Sequence, residues 1–390
     1  MRLIHTSDWH LGRTLHGADL LPYQEEFLDW LLAESVAKRA DAVIVAGDVY
    51  DRAVPVTDAV ALLDRALTGF SKAGIQVLLT SGNHDSAIRL GFGSRLSEAA
   101  GVHLRTSVAE IARPLVVGDV GLYGIPYLLP DAVMAELNAE RSHASVLAAA
   151  VDLIKKDAAD RGIDRVVVAA HAFVTGAAPC ESERDIRVGG IADVPASVFS
   201  GLTYVALGHL HGQQNVDQAG TIRYSGSPLA FSFGERHQAK SVTLAEIDAS
   251  GLVTTTKLPA PVPRPLKQVK GTLDEVLSLT DPVLERAWVK VVLTDAVRPA
   301  APMERLRERW PHTLVLDFAP EGELVAAEAD LRRTAEVSDP VEICAHFVEF
   351  TSGGPPDEEQ RAVLADVIET VQHADTEENG SLSVVPELAA

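Results

Sequence analysis

The sequence predicts an α/β fold over residues 1–255, then a smaller α+β unit and a terminal pair of helices. Three observations carry this reading. Short β-branched apolar runs alternate with stretches of helical period as far as residue 255. Pro259, Pro261, Pro263 and Pro265 then interrupt the chain within seven residues, a density that neither a helix nor a central strand tolerates. Beyond them the pattern changes, ending in two helical stretches either side of Gly353-Gly354-Pro355-Pro356.

The strand candidates are Leu3–Thr6, Ala42–Ala46, Gln76–Thr80, Gly121–Ile125, Val166–Ala170 and Tyr204–Leu207, each apolar and bounded by Gly, Asp or Asn. Ile222–Tyr224 and Ser241–Ile247 follow as further strands. Between the first two runs, Tyr23, Phe27, Leu28, Leu31, Leu32 and Val36 recur at helical spacing behind Pro22. A second helix is expected over Thr57–Ser71. Residues 256–266 read as a linker. Residues 267–320 hold a strand at Trp288–Leu293, a helix at Pro302–Arg309 and a strand at Thr313–Phe318. Residues 321–374 carry the helical pair, whose apolar positions are Ile343, Phe347, Phe350, Val363, Leu364 and Val367. An acidic tail fills 375–390.

A chain of 390 residues with 47% hydrophobic content has ample material for two or three cores and is not globally disordered. Its two cysteines, Cys180 and Cys344, form no metal-binding spacing and suit a reducing compartment. The opening residues leave no room for a signal-peptide core, and no apolar run approaches the roughly 18–20 residues of a membrane span. A cytoplasmic protein is the expectation. The net charge of −21 disfavours nucleic acid at first sight. Residues 321–390, however, hold 17 acidic and 3 basic side chains, so two thirds of the excess sits at the C-terminal end. A local basic groove elsewhere, or bound divalent cations, would restore a surface for phosphate.

The chemistry is written at the strand ends. Ser7-Asp8-Trp9-His10 follows the first strand, Gly47-Asp48 the second and Ser81-Gly82-Asn83-His84-Asp85 the third. His171 follows Val166–Ala170, and Gly208-His209-Leu210-His211 follows Tyr204–Leu207. In α/β sheets ligands bind beyond the carboxyl ends of the strands, so residues two hundred apart in sequence can converge. Singly, an Asp or His after a strand is an ordinary loop residue. Five in order are not easily accidental. Asp8, His10, Asp48, Asn83, His171, His209 and His211 are metal-ligand types, and seven are too many for one tetrahedral ion. They suit two ions about 3.5–4 Å apart sharing a carboxylate. Mixed nitrogen and oxygen donors favour manganese, iron, cobalt or zinc over a purely magnesium site. Gly12, Gly47, Gly82 and Gly208 are expected to give the ligand loops backbone freedom.

In order and spacing, Asp8-x-His10, Gly47-Asp48-x-x-Asp51, Gly82-Asn83-His84-Asp85, His171 and Gly208-His209-x-His211 resemble the calcineurin-like metallophosphoesterases. Within them, Ser7–Arg13, Tyr204–His211, Tyr224–Pro228 and Phe233–Glu235 resemble the SbcD-type nucleases, partners of SbcC in bacterial SbcCD complexes. The resemblance implies a metallophosphoesterase sandwich, with residues 267–320 as a capping domain. It implies one ion on Asp8, His10, Asp48 and His211, and another on Asp48, Asn83, His171 and His209, with Mn2+ as the expected metal. His84 would face the substrate as a proton donor, Asp51 would orient His84, and Arg52 would meet a phosphate oxygen.

The same resemblance implies a DNA nuclease, with 3′–5′ exonuclease action on duplex ends and endonuclease action on single-stranded or hairpin DNA. It implies a homodimer within a heterotetramer and a helical pair docked on a coiled-coil ATPase of SbcC type. The alternatives are a two-metal phosphatase or small-molecule phosphodiesterase, and a non-catalytic scaffold. No P-loop or GxSxG motif supports a covalent route.

Overall fold

The computed structural model describes residues 1–178, 182–183, 194–320, 339–352 and 354–380. Strands in chain order are β1 (Arg2–Thr6), β2 (Thr14–Leu15), β3 (Ala18–Asp19), β4 (Ala42–Ala46), β5 (Gln76–Thr80), β6 (Val102–Arg105), β7 (Leu115–Val117) and β8 (Val120–Ile125). After them come β9 (Arg165–His171), β10 (Tyr204–Gly208), β11 (Gln214–Asn215), β12 (Ile222–Tyr224), β13 (Ser241–Ile247), β14 (Val253–Pro259), β15 (Leu266–Gly271), β16 (Trp288–Leu293) and β17 (Thr313–Phe318).

Twelve of these build two six-stranded sheets, ordered β14-β13-β1-β4-β5-β6 and β11-β12-β10-β9-β8-β7. The reason they stack is legible residue by residue. Along β4, Ala42 and Ile44 point into a core shared with Val167 and Ala169 of β9 and with Tyr204 and Ala206 of β10. Val43 and Val45 point the other way, onto Phe27, Leu31, Leu62 and Phe70 of helices Leu21–Ala37 and Thr57–Lys72. In the second sheet, Val166, Val168 and Ala170 turn outward onto Val146, Ala150 and Ile154 of helix His143–Arg161. Period-two alternation thus feeds two cores from each central strand, and the layers run helix, sheet, sheet, helix. This is the metallophosphoesterase sandwich the residues lead one to expect.

Helix His143–Arg161 carries sequence signals at both ends. Ser142 caps its start by accepting from the Ser145 N–H, and Gly162 ends it at φ 69°. The expected linker begins later than residue 256. β14 runs on to Pro259 and pairs with β13 throughout. A proline is tolerated there because β14 is the sheet's edge strand and Pro259 its last residue.

The chain divides into two compact units, Met1–Gln268 with Asp281–Lys290, and Val269–Thr280 with Val291–Ala390. The first therefore reaches past the boundary expected at 255. In the second unit Trp310 is buried and donates its indole N–H to the Val276 carbonyl at 3.3 Å. Helices Pro340–Ser352 and Glu358–Gly380 form the expected pair, the latter six residues longer than expected. Residues 321–338 and 381–390, Cys180 and Gly353 lie outside the described residues, as does the side chain of Phe350. No helix among those described is long and apolar enough to cross a membrane.

Candidate metal centre

The loops after β1 and β4 extend the parallel ladder past the strands: Asp8 N–H donates to Gly47 O, His10 N–H to Asp48 O and Leu11 N–H to Val49 O, at 2.9–3.0 Å. This lacing holds three non-glycine residues in the left-handed region, Asp8 (φ 52°), His10 (φ 45°) and Asp48 (φ 49°), and His209 adds a fourth at φ 108°. Each costs about 1–2 kcal/mol. Four of the seven expected ligands carry such strain, and strain of this kind gathers where side-chain direction serves function.

Glycines make the room. At Gly47 (φ 82°) a Cβ would lie 2.3 Å from His171 Nδ1. Gly82 and Gly208 have no positive φ, which corrects the expectation of backbone freedom there. Their role is closeness: a Cβ would lie 2.1 Å from Asp48 Oδ1 at Gly82 and 1.8 Å from Ala46 O at Gly208.

The predicted ligands meet around Asp48. Its Oδ2 lies 3.6 Å from His10 Nε2, 3.5 Å from His171 Nε2 and 4.0 Å from His84 Nε2. Asp8, His10 and His211 form one cluster with donor atoms within 4.8 Å of one another, and Asp8, Asp48 and His171 form another. Asn83 Oδ1 is 2.9 Å from His171 Nε2, and the His171 and His209 rings stand edge to face 5.4 Å apart. All seven are buried except the half-buried Asn83.

Hydrogen bonds select the ring nitrogen each histidine presents. His171 Nδ1 donates to Ala46 O at 3.0 Å, which aims the Nε2 lone pair at the oxygens of Asn83 and Asp48. Ser182 Oγ donates to Glu235 Oε1 at 2.6 Å and so receives the His211 Nδ1–H at 2.7 Å. That leaves His211 Nε2 facing His10 Nε2 at 3.2 Å. Lone pairs of nitrogen and oxygen directed at one another in a dry site call for a proton or a cation between them. The donors present therefore fit a pair of metal ions.

The electrostatics follow. Burial, helped by the Asp48 charge, leaves Asp8 raised to about 6, despite the pull of His171, His211 and the Ser7 hydroxyl. Burial also works to raise Asp48, but His171, His10 and His84 outweigh it and hold the carboxylate well below its usual range. Burial works to lower His171, yet the Asp48 charge lifts it to about 9. Burial and His171 together drive His209 down to about 3.

Several side chains depart from their expected roles or had none. His84 donates Nδ1–H to the backbone carbonyl of Asp51 at 2.8 Å. The Asp51 carboxylate sits instead 3.6 Å from His10 Nδ1 and 3.7 Å from Arg13. Arg52 is largely exposed, 3.7 Å from Asp51. Arg13 had no expected role, yet it lies over the Phe231 ring at 4.7 Å and donates to Ser182 O at 3.0 Å. Asp85, quoted only as part of a motif, accepts from the N–H groups of Val49, Tyr50 and Gly82, tying the β4 and β5 loops together. Glu235 is anchored by buried Lys240, which also donates to His211 O at 3.0 Å and Ser227 Oγ at 2.9 Å. The Phe233-Gly-Glu235 stretch was the sequence signal for that support.

Residues 1–213 match the family model of the calcineurin-like phosphoesterases, and residues 262–352 match one described as the type 5 capsule protein repressor C-terminal domain. The chain is similar to the SbcD nuclease component of the SbcCD complex of Staphylococcus saprophyticus, 29% identical over 320 residues, which are 81% of this chain and 84% of that one. Among solved structures it is similar to a protein of Thermus thermophilus (13% identity, TM-score 0.40, 66% of this chain and 98% of the other). It is likewise similar to a dimetal phosphatase of Danio rerio (13%, TM-score 0.40, 67% and 99%).

Proposed function

We propose that this chain, which belongs to the calcineurin-like phosphoesterase family, is a metal-dependent DNA nuclease that works with a coiled-coil ATPase of SbcC type. The observation that carries the reading is the meeting of buried Asp and His donors from five strand ends around Asp48. Similarity to an SbcCD nuclease component over most of both chains supports DNA as the substrate. We assign one ion to Asp8, His10, Asp48 and His211, and the other to Asp48, Asn83, His171 and His209, with Asp48 shared and manganese as the metal. Such ions supply Lewis-acid polarisation of the phosphodiester and an activated water.

The chain's own residues do the rest. Ser182 and Ala46 hold the tautomers that point His211 Nε2 and His171 Nε2 inward. With Nδ1–H committed to Asp51 O, His84 gives a proton from Nε2 only as the imidazolium, and it hands that proton to the leaving 3′ oxygen. Asp51 acts on His84 through its carbonyl rather than its carboxylate. Arg13, closer in than Arg52, is the better-placed guanidinium for a phosphate oxygen, and Arg52 reaches only incoming backbone.

Exonuclease action on duplex ends, endonuclease action on hairpins and a cytoplasmic setting belong to the same reading, as does a homodimer within a heterotetramer. For the dimer, Ile88, Phe92 and Leu96 are 88%, 89% and 83% exposed, apolar surface within one short segment that suits a second copy. For the ATPase, Ile343, Val363 and Val367 are exposed on the helical pair. The test is Mn2+-dependent cleavage of linear and hairpin DNA beside a nitrophenyl phosphodiester. Hydrolysis of phosphomonoesters with no DNA cleavage would favour a phosphatase, and no hydrolysis of any ester with metals bound would favour a scaffold.

A further inference from the structure

At one edge of the sandwich a cleft of about 320 Å3 opens between β11–β12 of the second sheet and β14 of the first. It is lined by Gln213, Gln214, Asn215, Arg223, Thr255 and Lys257. Arg223 is only 4% exposed, and its guanidinium donates Nη1–H to Thr255 Oγ1 at 2.5 Å. Among the described residues its Nε has no partner, and neither does Gln213 Nε2. Two more orphaned groups, Ser241 Oγ and Thr243 Oγ1, belong to the same layer. Thr243 stands opposite His5 and Lys257, and Ala245 opposite Thr255, and both His5 and Ala245 face the space between the sheets. Alternation therefore turns Ser241 and Thr243 toward that space as well. Of the seven buried polar atoms without a partner among the described residues, two thus belong to residues lining the cleft and two more face the same space between the sheets.

Arg223 and Lys257 form no ion pair with any described acidic side chain. A guanidinium buried without a counter-charge is expensive. Its charge is felt nearby: after burial itself, Arg223 is the cause that drives His5 down to about 3. An array of one buried guanidinium, one exposed ammonium, an amide and the Thr255 hydroxyl lines the cleft and offers donors on several sides of a compact, multiply charged oxyanion.

We propose that this cleft is an anion site that takes a phosphate group, separate from the metal centre. It neighbours that centre along the chain, since Gln213 follows His211 by two residues and Ser225, two after Arg223, touches Ser7 at 3.0 Å. Neither the donors nor the unpaired charge depends on the nuclease reading. The phosphate comes either free in solution or from a nucleic-acid backbone passing the metal centre.

The probe is inorganic phosphate, titrated calorimetrically into the full chain after its metals are stripped with EDTA, at constant ionic strength. The wild type binds one phosphate saturably. Arg223→Met and Lys257→Gln each weaken it at least tenfold, and Lys257→Gln, at an exposed position on an edge strand, keeps the test open if Arg223→Met does not fold. A phosphorothioate oligonucleotide distinguishes the sources. For a backbone phosphate, Lys257→Gln also weakens oligonucleotide binding and lowers its salt slope by about one. For free phosphate, oligonucleotide binding is unchanged. Absence of saturable phosphate binding in the wild type, or wild-type affinity in both variants, overturns the site and leaves ordered water as the filling of the cleft. DNA cleavage by the wild type in Mn2+ does not enter these readouts, so the two readings fail separately.

Discussion

Gly47→Ala isolates the closeness on which the metal centre depends. Its added Cβ would lie 2.3 Å from His171 Nδ1, 2.7 Å from Cγ and 2.8 Å from Cβ, where real Cβ contacts essentially never fall below 3.0 Å. Backbone or ring must retreat by at least about 0.7 Å. The ring is held on both sides, by Ala46 O at 3.0 Å and by Asn83 Oδ1 at 2.9 Å, so it cannot yield without giving up its aim. The φ of 82° adds left-handed strain of about 1–2 kcal/mol, and overpacking adds about 1–3 kcal/mol. We expect roughly 2–5 kcal/mol of destabilisation, metal content below two ions per chain, and turnover reduced on the order of 10²-fold. Gly74→Ala is the control. It shares the positive φ (72°) but meets nothing within 4 Å, so it shows the strain alone with metals and turnover intact. Melting curves, elemental analysis and phosphodiesterase rates on the two variants decide the matter. If Gly47→Ala keeps two ions, full turnover and the stability of Gly74→Ala, the steric account of the site is wrong.

Four further outcomes are expected. Asp48→Ala loses metal and activity together, and elemental analysis showing two retained ions would exclude a shared carboxylate. His84→Gln keeps its metals while turnover falls roughly 10²–10⁴-fold; a metal-free variant would make His84 a ligand. A chain ending near Pro320 retains two metals and cuts model substrates in Mn2+ but no longer co-purifies with the ATPase, and pull-down at full-length affinity would move the docking site elsewhere. The last concerns pH. His5 accepts from Tyr204 O–H and donates to Leu207 O as a neutral ring, and its pKa falls from 6.5 to about 3. The unfolded chain then binds the extra proton, so stability is lost as pH drops from about 6.5 toward 3, by up to roughly 4–5 kcal/mol. His5→Gln should flatten that acid limb of the Tm profile, and an unchanged limb would count against it.

The central strands were legible because each feeds two cores, so both parities are apolar and the runs stand out. Among the strands the reading missed, two are of a different kind. Val253–Pro259 and Leu266–Gly271 are threonine- and lysine-rich, and a proline run blurs their bounds. Edge strands bury little, so composition marks them weakly. Helix His143–Arg161 was signalled by its Ser142 cap and by Gly162, but alanines spread along much of its length and no narrow apolar stripe advertises it.

The sequence by itself determined the ligand types, their order and their place at strand ends, because a strand's carboxyl end and its following loop are local matters. What only the tertiary structure decided is which of these side chains meet. It put His171 Nε2 between Asn83 and Asp48, and gave His84 the Asp51 carbonyl instead of its carboxylate. It also set Ser182 and Glu235 behind His211, and left Arg223 Nε without a partner among the described residues. Those pairings join residues up to about 120 positions apart. They depend on how two sheets stack and in what register, and stacking is set by the whole buried surface rather than by any local run of residues.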